Sequence, residues 1–264
     1  MNQTQDFTKG VIWKQLLFFF FPILIGSFFQ QLYNTVDTII VGQAVGTSAL
    51  AAVGSTGNLT SLIVNFYVGL STGASVVIAQ YYGAQNNKKI HQAVHTSYTL
   101  AIVSGILMML FGLFFSYQCL DAIGTPHDIL NDATLYMQLY FLCMIPGAIY
   151  NIGAGILRAV GDSKRPLYYL IVCSIVNVVF DFIFVVIFHQ GIAGAAIATV
   201  IAQFVCAILV NIQLMRTNEV YKLTLSKMKF HLPVLKKIIM IGAPAGIQST
   251  MYSISNIVLQ SHIN

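Results

Sequence analysis

Charge is what this sequence is short of. Asp, Glu, Lys and Arg make up 8% of its 264 residues, about a third of the share usual in a soluble domain, and the mean hydropathy is +0.77. A chain with so few ionic groups cannot clothe a water-facing surface, which excludes the water-soluble architectures. The four cysteines, Cys119, Cys143, Cys173 and Cys206, form no Cys-x-x-Cys pair and no Cys/His cluster, so neither a disulfide framework nor a structural metal site is expected. No P-loop, dinucleotide fingerprint or nucleophile-base spacing is present, and no enzyme activity or cofactor is expected. The net charge of +5 would suggest nucleic acid in a soluble protein. Here the bases fall between apolar runs, so no nucleic-acid partner is expected.

What the sequence has in quantity is apolar runs of about 20 residues or more, the length a helix needs to cross a bilayer core. Seven spans are predicted, at 14–44, 49–82, 90–116, 134–157, 167–188, 192–214 and 238–262. All 13 Lys and Arg lie before the first span or in alternate loops, Arg158, Lys164 and Arg165 between the fourth and fifth spans among them. The remaining loops carry Asp121, Asp128, Asp132, His127 and His189. The positive-inside rule then predicts a multi-pass plasma-membrane protein with a cytoplasmic N-terminus. The first run, preceded by Lys9 and Lys14, lacks a small-residue cleavage site and reads as a retained anchor.

The fold class that follows is an all-α polytopic membrane protein, a six-helix transmembrane bundle plus a seventh helix that begins a second, truncated bundle. The expected layout is a cytoplasmic tail at 1–13, a six-helix lobe at 14–215, a basic linker at 216–237 and the first helix of the second lobe at 238–264. An odd span count places Asn264 outside with no closing loop, as expected of a truncated chain. Tyr252 to Leu259 weakly repeats the order of Tyr33 to Ile40, with Asn256 in the place of Asp37, and transporters are often built from such repeats. Pro22 and Pro146 are candidate bends within spans. The Gly42/Gly46, Gly69/Gly73 and Gly242/Gly246 pairs read as close helix packing, and His91 with His95 as a solvated basic helix end.

Two carboxylates lie inside spans, Asp37 and Asp181. An ionised carboxylate there costs roughly 2.5 to 3.5 kcal/mol on insertion scales, so each needs a cavity or a partner. Counting residues from the outer surface puts Asp37 roughly 10 Å deep and Asp181 roughly 12 Å deep. Asn177 sits one turn before Asp181 on the same helix face, and Thr199 on the sixth span reaches the same level. Two carboxylates, an amide and a hydroxyl at one depth suit a small hard cation, or a shared proton. Gln30, Gln31, Tyr33 and Asn34 ride on the helix of Asp37, where they line a substrate cavity or bond neighbouring helices.

The residues that carry a resemblance are Val36-Asp37-Thr38-Ile39-Ile40-Val41-Gly42 running into Ala49-Leu50-Ala51-Ala52-Val53-Gly54, then Leu157-Arg158-Ala159-Val160-Gly161-Asp162-Ser163-Lys164-Arg165-Pro166, Asn177-Val178-Val179-Phe180-Asp181 and Gly191 to Thr199. As a set they resemble the multidrug and toxic compound extrusion (MATE) transporters, with Ala159 standing where that family's loop more often has glycine. The resemblance implies a twelve-helix protein of two six-helix lobes that exports amphipathic, often cationic drugs in exchange for Na⁺ or H⁺. It implies a cation-coupling site at Asp37, Asn177, Asp181 and Thr199, a hinge at Pro22, and a substrate cavity that includes Gln30, Tyr33 and Asn34. The second reading is a flippase for lipid-linked oligosaccharides, which would need basic residues inside spans to meet phosphate; none is expected here.

The topology has a direct check. In a background lacking Cys119, a cysteine replacing Asp128 is expected to react with an impermeant thiol reagent in intact cells, and one replacing Lys227 is not; the reverse pattern would refute the orientation.

Overall fold

Backbone groups within hydrocarbon find no water, so they must pair within their own segment, and helices result. A computed structural model describes residues 11–263. Its helices are α1 (Ile12–Ala44), α2 (Thr47–Gly83), α3 (Asn87–Ala122), α4 (His127–Phe141), α5 (Met144–Ala159), α6 (Lys164–Asp181), α7 (Gly191–Arg216) and α8 (Leu232–Ile263), with a π-helical turn at Phe182–Ile187 and a 3₁₀ turn at Leu225–Lys227. Lys9 and the rest of 1–10, the end residue Asn264, and the side chains of the Tyr252 to Leu259 repeat lie outside the described residues.

By length and composition, α1, α2, α3, α6 with its π turn, and α7 are able to cross a membrane, and α4 with α5 forms a sixth, bent span. The fourth span was expected as one run over 134–157. Instead the chain turns by 45° between α4 and α5, at Leu142 and Cys143. Pro146 explains the place: it has no N–H to offer the Leu142 carbonyl four residues back, and it sits in the first turn of α5, where proline is tolerated. Pro22, by contrast, lies inside α1, which continues through it.

The seventh expected span is a continuous helix, α8, but among the described residues it does not reach the hydropathy of the other five. Gly242, Pro244, Gly246, Gln248, Ser249 and Thr250 dilute it. Its glycine side faces protein, Gly242 and Gly246 being buried against α2, while Pro244 and Gln248 are exposed. Side chains that face outward from the bundle, such as Phe18, Leu107 and Phe114, are large and apolar, as lipid contact requires.

The α2–α8 contact is the tightest helix pair. A Cβ on Gly73 would stand 2.5 Å from the Ile238 carbonyl oxygen and 2.6 Å from Gly242 Cα, and Gly69 lies against Gly246 in the same way. Those two glycine pairs are packing surfaces, as read from sequence. Gly42/Gly46 is not: Gly46 has φ +113° with open space around it, and serves the turn between α1 and α2.

The connection from α7 to α8 is pinned to α3 by histidines. His95 is fully buried. Its Nδ1 lies 2.7 Å from the His91 carbonyl oxygen and its Nε2 3.1 Å from the Thr224 backbone, so for His95 the expected solvated helix end is corrected to a buried latch, while the His91 side chain is partly exposed. The Thr96 hydroxyl accepts from the His231 backbone N–H at 3.1 Å and meets its Nδ1 at 3.2 Å. Partial desolvation, with the Lys229 charge and His95 nearby, holds the His231 imidazole below its ordinary pKa.

Gly73→Ala is expected to force α2 and α8 apart and to destabilise the protein by about 1–3 kcal/mol, the usual range for overpacking. Gly57→Ala, where a Cβ meets nothing within 4 Å, is expected to stay near wild type. Thermal unfolding of both in detergent checks the contrast.

Candidate functional site

The residues selected by depth converge. Asn177 and Asp181, four apart on α6, both turn inward and are 1% and 0% exposed. Thr199 on α7 is buried beside them, and the Asn177 side-chain amide donates to its hydroxyl at 3.3 Å. Asp37 on α1 is half-buried, and its carboxyl lies within electrostatic range of that of Asp181. One oxygen of Asp37, both oxygens of Asp181 and the Asn177 Oδ1 are buried without a hydrogen-bond donor. Asn177 gives one of its two amide N–H groups to Thr199, and its oxygen is buried with no donor.

A buried acceptor without a donor costs free energy, and four of them in one place amount to a site built only of oxygen. Such a set fits a hard cation with oxygen ligands, or a proton shared between the carboxyls. Tyr136 on α4 is within electrostatic range of both carboxyls, and Tyr140, stacked on it at 6.2 Å, extends the polar wall. Neither tyrosine was singled out from sequence. The π turn starts at Phe182, directly after Asp181; π turns recur at functional sites, and nothing in the sequence announces this one.

Toward the Pro22 end of α1 from these groups lies a cavity of about 340 Å³. Gln30 and Tyr33 line it, and Asn34 does not. Pro22 lines it too, with Tyr67 and Val64 from α2, Tyr140 from α4, Tyr150 and Asn151 from α5, Leu167 from α6 and Gln203 from α7. One charged side chain reaches it, Arg158. The sequence placed Arg158 in a loop and no base inside the spans; in the structure it belongs to the last turn of α5.

The local chain explains the difference. After α5, Gly161 takes φ +86°, and buried Asp162 then accepts from the Arg165 backbone N–H at 3.1 Å and pairs with its guanidinium at 3.0 Å. Asp162 thereby starts α6 and neutralises Arg165. Among the described residues that is the one ion pair, so Arg158 is left with no carboxylate partner.

Comparison with known proteins gives the same architecture. The MatE family model matches residues 22–183. The probable multidrug resistance protein YoeA of Bacillus subtilis (strain 168) is 28% identical over 99% of this chain and 58% of its own length, so the chain spans somewhat over half of such relatives. A crystal structure described as MATE in the straight conformation aligns with TM-score 0.87 and 27% identity, over 94% of this chain and 55% of that one. One described as MATE in the bent conformation aligns with TM-score 0.84 and 27% identity, over 91% and 54%. With a family model over more than half its length and a helical fold that aligns with solved MATE structures at TM-scores of 0.84 and 0.87, the chain belongs to the MatE family.

Proposed function

We propose that this chain forms the first lobe, with the first helix of the second, of a secondary active multidrug efflux transporter that exchanges amphipathic compounds, cationic ones among them, for Na⁺ or H⁺. It sits in the plasma membrane with its N-terminus cytoplasmic, and the connection between α7 and α8 is the boundary between lobes. The observation that carries this reading is the cluster of buried oxygens without a donor on Asp37, Asn177 and Asp181, with the Thr199 hydroxyl bonded beside them to the Asn177 amide.

An external cation is the transported counter-substrate. It binds more strongly where the carboxyls are close and dry than where they are apart and wet, and that difference is what moves the equilibrium between conformations. α1 suits the moving part. It touches the bundle mainly through α6, its other faces are exposed, and Pro22 leaves the Phe18 carbonyl without its helical donor. Bending there would reshape the cavity that Pro22, Gln30 and Tyr33 line. Relatives solved in straight and bent conformations support a family whose members change shape.

Asp37→Asn and Asp181→Asn keep shape and hydrogen bonding but remove the charge. In the full-length transporter, each is expected to reduce gradient-driven drug efflux to background while expression is retained, and to abolish the cation-induced fluorescence change of the purified protein. Near-normal efflux in both would refute the coupling site. Pro22→Ala is expected to slow turnover and leave the cation response in place, so the two classes separate in one pair of assays.

A further inference from the structure

We propose that the cavity below the carboxylates is a subsite for an anionic group, with Arg158 as its anchor, and that it takes a single-chain, drug-sized amphiphile carrying a carboxylate or phosphate. The charge of the lining points this way. Among the described residues neither Asp37 nor Asp181 lines the cavity and Arg158 does, so the space presents a cation and no anion.

A guanidinium inside a membrane protein is costly to leave without a partner, and such groups ordinarily pair. Arg165, seven residues on, has its pair in Asp162. Arg158 has the negative end of α5 and the Tyr150 hydroxyl within electrostatic range, and it lines the cavity. The neighbouring lining supplies neutral partners for an anion, Ser163 and Gln203 among them, and Ile23 and Leu167 offer apolar surface to its body. A volume of about 340 Å³ is at the lower end of drug-sized sites and leaves no room for the two acyl chains of a membrane phospholipid. The anchor stands apart from the coupling cluster: neither carboxylate lines the cavity, whose α1 lining runs from Pro22 to Tyr33 and ends about 6 Å along the helix short of Asp37 at 1.5 Å per residue.

This inference rests on the efflux reading only for its meaning as a substrate subsite, because its test is binding and needs no gradient. The probes are 11-(dansylamino)undecanoate and its analogue ending in trimethylammonium, titrated by fluorescence against the purified chain in neutral detergent. The wild type is expected to bind the anionic probe more tightly than the cationic one. Arg158→Gln is expected to weaken the anionic probe by about ten- to hundredfold, the loss usual for a hydrogen bond to a charged group, and to leave the cationic probe unchanged. Arg158→Lys, which keeps the charge, is expected to restore part of the affinity. Excess phosphatidylglycerol is expected not to displace the probe. Equal binding of both probes by the wild type, loss of both in Arg158→Gln, unchanged binding in that variant, or displacement by phosphatidylglycerol would each overturn the assignment. None of these outcomes depends on Asp37 or Asp181, so the subsite and the coupling site stand or fall separately.

Discussion

A carboxylate that has left water has to be compensated where it stands, and the inner architecture of this protein follows from having two of them. Asp181 is fully buried, and both its oxygens are without a hydrogen-bond donor. α6 brings Asn177 onto the same face, α7 supplies Thr199, α4 supplies Tyr136, and α1 completes the set with Asp37. Four helices therefore meet at one depth for a reason that packing alone does not give. Leu or Ala in these places would seal the bundle without any need of a counter-charge.

Compensation is handled differently in the turn between α5 and α6. Asp162 and Arg165 cancel within one turn of chain, and Gly161 makes the turn that lets them. The contrast with Arg158, a few residues earlier, is what gives the cavity its sign. Acids without bases above and a base without acid below divide the lobe into two electrostatic compartments, with Tyr33 and Tyr140 on the wall between them.

How much of this was legible beforehand depended on whether the signal was local. Asp37, Asn177, Asp181 and Thr199 could be brought to one level because helix rise is constant and the loops fix where each span starts. Pro146 marked the bent span, although not that the chain would break ahead of it. The His95 latch could not be read, since its partner Thr224 is 129 residues away. Arg158 was misplaced because charged residues usually bound apolar runs, and only the paired Asp162 and Arg165 show where the loop starts. Tyr136 and Tyr140 look like any aromatic pair until the bend aims them at the acids.

The π turn after Asp181 has a consequence for how this segment evolves. A π turn holds one residue more than the α-helix it interrupts, so whatever follows it is rotated against whatever precedes it. Asn177 and Asp181 precede it and stay in phase with the start of α6. Phe182–Ile187 is thus a place where the gene could gain or lose a single codon while the acid and the amide keep their facing, the slip being passed outward to Phe188 and His189 at the mouth of the lobe. An insertion or deletion one turn earlier would swing the acid out of the cluster.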